Sequence, residues 1–247
     1  MSRIAQNRNI GQSRKDWLAF VMEKNFVIVD IVSDIVCPWC WLGKQYFDAA
    51  VKASPDIDVQ INWRPFMLDA GIPYEGMPYQ DYMKAKFGTG RSDKFKAMRE
   101  HLEAAAGDAG IEFHFDDIPM RPNTLKAHLL IKWANGQGKA HAASGVLFKA
   151  FFQDLKDVGD NKTLAAIADE VGMDGALVTE LLEAGRDVEK LKAELAYFQK
   201  LGVTSVPTFI YNGTFAVSGG QPPEAHINAL EKGSTTQAKD IMTVLKP

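Results

Sequence analysis

The distribution of hydrophobic and polar positions divides the chain into strand-forming ends and a helical middle. Residues 26–32 are a β-branched apolar run that is typical of a buried strand. Apolar positions recur at helical spacing after Pro38, and residues 59–63 alternate like a strand with one buried face. A strand, a helix and a second strand in this order predict a βαβ unit, in which the helix crosses over between parallel strands.

The middle of the chain, residues 78–196, carries helical periodicity and helix-capping residues without a strand pattern. The Gly-x-Gly segments at residues 88–90 and 136–138 are predicted to be loops, because they lack the preceding strand and third glycine of a phosphate-binding turn. The pattern therefore predicts an all-helical segment. Its helices are expected over residues 79–87, 92–109, 124–135, 140–154, 161–171 and 174–184.

Strand signals return near the carboxyl end, after a helix predicted over residues 187–200. Asn212-Gly213 separates two β-rich runs, and this dipeptide between such runs is the strongest short-range signal for a hairpin. Pro207 stands where the first of these strands begins, a position that suits a strand start or a cis turn. A closing helix is predicted over residues 224–232, followed by a loosely held tail over residues 234–247.

The candidate chemistry lies in the motif Cys37-Pro38-Trp39-Cys40, at the predicted junction between the first strand and its helix. Pro38 suits the first helical turn, so Cys37 is left at the helix N-terminus, where unpaired amides and the helix dipole favour a thiolate. Residues three apart on a helix have Cβ atoms about 5–6 Å apart, whereas a disulfide needs about 3.8 Å. Such a tight but closable pair is typical of a redox-active disulfide, whose potential Pro38 and Trp39 are expected to tune.

Composition argues against several other classes of function. The two cysteines and the histidines at 101, 114, 128, 141 and 226 lack the number and spacing of a structural zinc site. The net charge of −3 indicates no basic surface for nucleic acid or for a membrane. No apolar run approaches the roughly 18 residues of a membrane-spanning helix. We therefore expect no metal, no bound cofactor, no nucleic-acid partner and no membrane association.

The first 24 residues are predicted to be a polar N-terminal extension. They lack the apolar core and the small-residue cleavage site of a secretory signal, so we expect a cytoplasmic protein. Met22 directly precedes the first strand, and we hypothesise that translation naturally begins there. Intact-mass measurement of natively expressed protein would reject this hypothesis by finding the longer chain.

The order of these motifs resembles the DsbA-like branch of the thioredoxin superfamily, and more narrowly the FrnE-type proteins, which are cytoplasmic relatives of DsbA. The resemblance spans roughly residues 26–232 and depends on several stretches that occur in one order. These stretches are residues 34–43 around the cysteine motif, Arg64-Pro65-Phe66, Pro122-Asn123-Thr124 with Ala127-His128, residues 147–152, and Gly219-Gly220-Gln221-Pro222.

This resemblance implies an α/β thioredoxin fold, a central sheet flanked by helices, with a large all-helical insertion. The discontinuous thioredoxin-fold domain would comprise residues 25–70 and 197–233, and the insertion would comprise residues 71–196. A cis proline is expected to face the cysteine pair, and in this chain it corresponds to Pro207. Val206 before it is expected to present backbone polar groups to a bound peptide or thiol by strand addition.

In the implied mechanism, Cys37 is the thiolate that forms a mixed disulfide with a substrate, and Cys40 resolves it. Asp34 and Asp30 are candidates for accepting a proton from Cys40. Asp30 stands in an otherwise apolar strand, where burial would favour the protonated carboxyl, and a strand-end carboxylate facing solvent is an equal alternative.

The favoured activity is thiol–disulfide exchange or disulfide isomerisation on cytoplasmic protein thiols or low-molecular-weight thiols. A cytoplasm poised by glutathione keeps most dithiols reduced. Reduction, isomerisation or redox repair during oxidative stress therefore fits such a compartment better than net oxidation. The sequence carries no signal that fixes an oligomeric state.

Two other classes stand as alternatives. The superfamily also contains glutathione-dependent isomerases and transferases of aromatic carboxylates, which have a serine in place of Cys37 and lack the second cysteine. This chain departs from them at both positions, although Asn123, Val206 and the Ser218-Gly219 region are candidates for holding glutathione as a co-substrate. The other alternative is a non-catalytic, chaperone-like peptide binder. This hypothesis predicts that a variant with both Cys37→Ser and Cys40→Ser keeps full activity.

Overall fold

The structure, a computed structural model, describes residues 25–88 and 92–244 of the chain. The predicted N-terminal extension and the hypothesised start at Met22 lie outside the described residues. The strands are β1 Asn25–Ser33, β2 Ile57–Pro65, β3 Met77–Pro78, β4 Met120–Arg121, β5 Thr208–Tyr211 and β6 Phe215–Ser218. The helices are α1 Pro38–Ala53, α2 Tyr79–Phe87, α3 Asp93–Asp108, α4 Leu125–Asn135, α5 Ala140–Phe152, α6 Asn161–Glu170, α7 Gly175–Glu183, α8 Val188–Lys200 and α9 Pro223–Val244, with a 3₁₀ turn at Phe115–Asp117.

Four strands form the central sheet, in the order β2-β1-β5-β6. β1 and β2 are parallel from the Asn25–Ile57 pair to the Ser33–Pro65 pair, and α1 connects them as the predicted βαβ crossover. β5 pairs antiparallel with both β1 and β6, so the sheet is mixed. A mixed sheet flanked by helices is the thioredoxin-like arrangement that the resemblance implies, and this prediction is confirmed.

The turn between β5 and β6 has the conformation that its sequence predicts. Asn212 and Gly213 have φ angles of 49° and 67°, and a type I′ turn requires positive φ at both positions. The Ile28 amide donates to Asn212 Oδ1 at 2.9 Å, and Asn212 Nδ2 donates to the Gly233 carbonyl at 3.0 Å. Asn212 therefore joins the hairpin to β1 and α9 in addition to forming the turn.

The helices α1 and α9 pack against each other, and α9 also packs against β1. The Phe47 and Phe209 rings stack with 5.3 Å between their centroids, and the His226 ring meets both of them edge-on. The Tyr211 hydroxyl shares a hydrogen bond with His226 Nδ1, with 2.6 Å between the oxygen and the nitrogen. Burial lowers the pKa of His226 to about 4, so this histidine is a neutral part of the core at pH 7.

The edge strand β2 is covered by α4, α5 and α8. The Trp63 amide donates to Asn135 Oδ1 at 3.1 Å, and Asn135 Nδ2 donates to the Trp63 carbonyl at 2.7 Å. These two bonds take the place of a neighbouring strand, since they satisfy backbone groups that an open sheet edge would leave unpaired.

A polar chain of four side chains, Lys44-Asp48-His141-Trp63, joins α1 to α5 and β2. Lys44 Nζ lies 2.7 Å from Asp48 Oδ2, and His141 Nε2 donates to Asp48 Oδ1 at 2.6 Å. The Trp63 indole N–H donates to His141 Nδ1 at 3.3 Å. Burial alone would raise the pKa of Asp48, but His141 and Lys44 hold it below its usual range. Asp48 therefore stays ionised and holds α5 against α1.

Trp41 makes the apolar contact between the cysteine motif and the helical segment. Its ring centroid lies 6.2 Å from that of Phe148 and 5.9 Å from that of Phe152, and both pairs are stacked. Phe113 meets the same indole edge-on at 5.6 Å. Because Trp41 directly follows Cys40, the packing of α5 determines where the start of α1 lies.

The last helix, α9, is longer than predicted, because it continues to Val244 instead of ending at residue 232. The Gly233-Ser234-Thr235 run is typical of a helix end, but a Cβ atom on Gly233 would lie 3.1 Å from Val27, so glycine permits close approach to β1. The Ser234 hydroxyl donates to the Glu231 carbonyl at 2.9 Å and so bonds within the helix. The predicted helix end at residue 232 is therefore wrong, the loosely held tail over residues 234–247 stays a prediction, and residues 245–247 lie outside the described part.

The middle segment contains the predicted helices and one feature that was not predicted. β3 and β4 form a two-residue antiparallel pair, which is too short to produce an alternating pattern in the sequence. The division into a thioredoxin-fold domain and an insertion stays a prediction, since α4 and α5 pack directly on β2. Among the helices of the described residues, none combines the length and the hydropathy that crossing a membrane requires.

We predict that Trp41→Ala lowers the free energy of unfolding by about 3–5 kcal/mol, because it removes a buried aromatic side chain from the core. Equilibrium urea denaturation followed by circular dichroism measures the change. Tyr197→Ala is the matched control, since that side chain is 57% exposed and its loss should cost below about 1 kcal/mol. Equal losses in the two variants would contradict the assigned role of Trp41.

Candidate active site

Cys37 is the N-cap residue of α1, with φ −99° and ψ 111°, and Pro38 takes the first helical position. The amides of Cys40 and Trp41 donate to the Cys37 carbonyl at 3.0 and 3.4 Å, so the first turn closes directly behind this residue. Both cysteines are free thiols. Cys37 is 4% exposed and Cys40 1%, so the two thiols differ in their position relative to the helix N-terminus more than in their exposure.

The start of β5 reaches the Cys37 thiol. Cys37 Sγ lies 3.8 Å from the Val206 carbonyl oxygen, to which it donates a weak hydrogen bond across 169 positions of sequence. The Val206–Pro207 peptide bond is cis. The Gly219 amide donates to the Pro207 carbonyl at 2.8 Å, so the residue after β6 supports the same turn. The structure thus brings the predicted residues Cys37, Val206 and Pro207 together.

Cys40 lies one turn into α1 and is closed off from solvent. Burial raises the pKa of the Cys40 thiol well above its ordinary value, and the neighbouring Cys37 raises it further. The Ser33 hydroxyl and the Asp34 backbone oppose this rise in pKa, with a smaller effect than burial. Cys40 is therefore a protonated thiol at neutral pH.

The Asp34 carboxylate is buried under the cysteine motif, 1% exposed, and has its own set of partners. Oδ2 accepts from the Leu68 amide at 2.8 Å, and Oδ1 lies 3.4 Å from His128 Nε2, which donates to the Phe66 carbonyl at 2.8 Å. Burial alone would raise the pKa of Asp34, but His128 and the surrounding donors hold it below its usual range. Asp34 is thus an ionised group whose carboxylate has the Leu68 amide and His128 as its partners.

Arg121, at the end of β4, brings a buried positive charge to the segment that leads into Cys37. Its side chain is 4% exposed and donates to the Val36 carbonyl and to Asp69 Oδ2, both at 3.3 Å. The guanidinium carbon lies 4.6 Å from the centre of the Tyr82 ring. Because Val36 directly precedes Cys37, Arg121 fixes the backbone from which the thiol projects.

Trp39 forms one wall beside the cysteine pair and is only partly buried. Its ring lies 6.0 Å from that of His101 on α3. A Cβ atom on Gly220 would lie 3.3 Å from Trp39 Cε3, so the glycine after β6 lets the indole rest on the backbone. Trp39 therefore lies between the hairpin end and the helical segment.

Asp30 lies away from the cysteine pair, in contrast to the prediction that it accepts a proton from Cys40. The alternation of β1 directs its side chain to the opposite face from Ser33. Its carboxylate accepts from Arg64 Nε at 2.8 Å and from Asn62 Nδ2 at 3.1 Å. The structure therefore gives Asp30 an ion pair across the two parallel strands, not a position beside the thiols.

Asn123 was expected to hold glutathione, but both polar groups of its side chain have partners within the chain. Its Nδ2 donates to the Ile72 carbonyl at 2.8 Å, and its Oδ1 accepts from the Leu125 amide at 3.0 Å. These bonds attach the start of α4 to the loop after β2. The side chain therefore has a structural role in the described state.

Three residues of the site escaped the sequence analysis. Ser33 and Arg121 carry no motif, and their importance depends on burial that follows from distant elements. His128 lies in a stretch that the family resemblance includes, although its partner Asp34 is remote in sequence. For Arg121, the one local signal was a positively charged residue close to prolines on both sides, as in Pro119-Met120-Arg121-Pro122.

We predict that Asp34→Asn lowers the free energy of unfolding at pH 7 by about 3 kcal/mol, because it removes one charge from a buried pair. The folded pKa of Asp34 is depressed, so its stabilisation is complete above the unfolded pKa near about 4 and is lost as pH falls through the folded pKa. Urea denaturation of both proteins from pH 7 to pH 2 measures the difference. A pH-independent gap between them would contradict this assignment.

We predict that Gly43→Ala displaces the start of β5 from α1, since the added Cβ would lie 3.0 Å from Pro207 Cγ. The free energy of unfolding should fall by about 1–3 kcal/mol, as expected for overpacking. Iodoacetamide labelling of Cys37, followed by mass spectrometry, should change in rate. Gly71→Ala is the control, because nothing lies within 4 Å of its Cβ position, and equal effects in both variants would refute the prediction.

Comparisons with known proteins agree with this geometry. A model of the DSBA-like thioredoxin domain matches residues 28–231. The uncharacterized protein YwbO of Bacillus subtilis (strain 168) is 31% identical over 190 residues, which make up 76% of this chain and 88% of YwbO. The crystal structure of probable DsbA oxidoreductase SCO1869 from Streptomyces coelicolor is 29% identical, with a TM-score of 0.74, and the match covers 84% of this chain and 89% of that chain.

A more distant structure shares the fold. Cytosolic disulfide reductase DsbM from Pseudomonas aeruginosa, solved with GSH, is 19% identical, with a TM-score of 0.57 over 83% of this chain and 98% of that chain. At this identity the similarity concerns the fold alone. The domain model, by contrast, matches most of the chain, and the protein therefore belongs to the DsbA-like thioredoxin family.

Proposed function

We propose that this protein is a thiol–disulfide oxidoreductase with disulfide isomerase activity, and that Cys37 and Cys40 are its redox pair. The observation that carries the proposal is the Cys37 thiol at the N-terminus of α1, 3.8 Å from the Val206 carbonyl and one turn from a second buried thiol. A helix N-terminus favours the thiolate, which is the nucleophile of disulfide exchange.

The proposed reaction proceeds in two exchanges. The Cys37 thiolate attacks one sulfur of a substrate disulfide, and the other substrate sulfur leaves as a thiolate that solvent protonates. The Cys40 thiolate then attacks Cys37 Sγ, which forms the Cys37–Cys40 bond and releases the remaining substrate sulfur. The substrate gains two electrons and two protons, and the cysteine pair loses the same number. Isomerisation results when a second substrate thiol attacks the mixed disulfide before Cys40 does.

The substrate is proposed to lie along the backbone that precedes β5. The Val206 carbonyl already contacts the Cys37 thiol, so an extended peptide paired with this backbone brings its sulfur to Cys37. Trp39 and His101 line the side toward α3, with 6.0 Å between their ring centroids. Pro38 and Trp39 are proposed to tune the potential, the first by fixing the helix start and the second by shielding the sulfur from solvent.

We propose that the direction of the reaction is reduction or isomerisation in the cytoplasm, in the manner expected of the FrnE-type subgroup during oxidative stress. Glutathione keeps most dithiols reduced in that compartment. The description of DsbM as a cytosolic disulfide reductase solved with GSH supports glutathione as a co-substrate that returns the pair to the dithiol. Protein thiols and disulfides are the other proposed partners.

We predict that Cys40→Ser accumulates mixed disulfides through Cys37, because the resolving thiol is absent. Incubation with oxidised glutathione or a disulfide-containing protein, followed by non-reducing gel electrophoresis and intact-mass measurement, detects the adducts. Cys37→Ser is the matched control and should form none. In the wild type, titration against glutathione buffers should give a single two-electron transition between dithiol and disulfide.

Two outcomes would contradict this proposal. If the wild-type pair never bridges in any glutathione buffer, and glutathione binds only non-covalently, a glutathione-dependent isomerase replaces the proposed activity. If the combined Cys37→Ser, Cys40→Ser variant keeps full activity in suppressing aggregation of an unfolded client, the groove serves as a chaperone-like peptide binder.

A further inference from the structure

Arg121, at the end of β4, is a buried cation to which the proposed reaction assigns no role. Its side chain is 4% exposed, and its Nη1 donates to the Val36 carbonyl at 3.3 Å. Its Nε is buried and has no hydrogen-bond partner among the residues that the structure describes. A buried guanidinium is costly unless its charge is paired and its donors are satisfied, so its retention next to the cysteine motif calls for an explanation.

The carboxylate that pairs with Arg121 also pairs with a second cation. Arg121 Nη2 lies 3.3 Å from Asp69 Oδ2, which is longer than the roughly 2.7–2.9 Å of strong charge-assisted bonds. Asp69 accepts at shorter distances from the Tyr82 hydroxyl, at 2.6 Å, and from Lys86 Nζ, at 2.6 and 2.7 Å. Because Arg121 and Lys86 share one carboxylate, the charge of Arg121 is neutralised only in part.

The bond to the Val36 carbonyl brings this charge close to Cys37. The Val36–Cys37 peptide bond is trans, and across a trans bond a carbonyl oxygen lies about 2.8 Å from the next Cα. Arg121 Nη1 is therefore within about 6 Å of the Cys37 Cα. The Cys37 amide donates to the Asp34 carbonyl at 3.0 Å, so Arg121 polarises a peptide group whose N–H is also hydrogen-bonded.

We propose that Arg121 is a positioning residue of the proposed reaction, whose buried charge, held against the Val36 carbonyl, favours the Cys37 thiolate over the thiol. This inference rests on the proposed function, since the thiolate is the nucleophile of its first exchange. A positive charge near a thiol favours the ionised form, and the effect is stronger in a buried site than in water. An arginine side chain keeps its proton in proteins, so this charge does not itself titrate.

The other ionisable groups of this region come from the elements packed around the cysteine motif. They are Asp34 after β1, Cys40 on α1, Tyr82 and Lys86 on α2, His101 on α3 and His128 on α4. Cys40 is replaced by serine throughout the test below, and the remaining groups are the same in every variant at Arg121 or Asp69. Differences between these variants therefore report on the Arg121–Asp69 pair.

The test measures the pH dependence of iodoacetamide alkylation in the full-length chain that carries Cys40→Ser. The chain has two cysteines, so Cys37 is then the one thiol that can react. Because the thiolate is the reactive form, the midpoint of the profile measures the stability of the thiolate. The plateau at high pH measures access to the sulfur, so a change that is only structural is separated from a change in charge.

We expect Arg121→Met to move the midpoint to higher pH, with alkylation about tenfold slower at a fixed pH below the midpoint. Arg121→Lys keeps the charge and should stay close to the parent profile. Asp69→Asn removes the opposing charge but keeps an acceptor for the guanidinium, so it should move the midpoint to lower pH. Lys192→Met is the control, because it removes a cation from an exposed pair with Glu189 on α8 and should leave the profile unchanged.

Midpoint shifts of the same sign in Arg121→Met and Asp69→Asn, or no shift in either, would overturn the inference, since Arg121 would then only support the backbone. If circular dichroism shows that Arg121→Met does not fold, Asp69→Asn decides the question, and the absence of its shift to lower pH overturns the inference. The proposed function is tested separately, by titration of the chain with both cysteines against glutathione buffers. A pair that never bridges refutes that function, while the alkylation midpoints still report on Arg121.

Discussion

The position of the two cysteines depends on the close packing of α1 against the start of β5. Gly43 lies where a Cβ atom would come within 3.0 Å of the Pro207 ring. At the N-terminal end of the same helix, Cys37 contacts the Val206 carbonyl. A larger residue at Gly43 would separate the two elements and remove the thiol from the backbone where a substrate is proposed to pair. One missing side chain thus permits the contact on which the chemistry depends.

The buried charges around this contact act on the backbone more than on the sulfur atoms. Asp34 holds the Leu68 amide, and Arg121 holds the Val36 carbonyl, so both ions fix segments that adjoin Cys37. Charges removed from water are stable only when they are paired and hydrogen-bonded, and each of these ions has such partners. The buried charges of the site therefore also hold its backbone in place.

Local sequence determines much of the fold and a smaller part of the site. The βαβ unit and the hairpin at Asn212-Gly213 could be predicted because their signals lie within a few residues of one another. The continuation of α9 past Gly233 could not be predicted, because that glycine permits close packing against Val27, which lies on a strand far away in sequence. Cys37 and Cys40 were recognisable from their spacing, and Pro207 from the family resemblance.

The remaining site residues depend on tertiary contacts that no local pattern encodes. Asp34 was expected to accept a proton from Cys40, but its carboxylate is directed toward the Leu68 amide and His128. Asp30 lies within β1 itself, and its carboxylate accepts from Arg64 and Asn62 on β2. The partners of both carboxylates therefore come from segments that are remote in sequence.

The stacking of Trp41 within the aromatic cluster has a consequence for how proteins of this kind diverge. Substitutions on α3 near His101 alter the surroundings of Trp39 while leaving the anchor of α1 intact, so under the proposed function substrate preference can change there with little effect on the cysteine pair. Changes to Trp41, Phe148 or Phe152 affect specificity and chemistry together. Selection is therefore expected to act on these three rings as a unit, and on the cleft walls one position at a time.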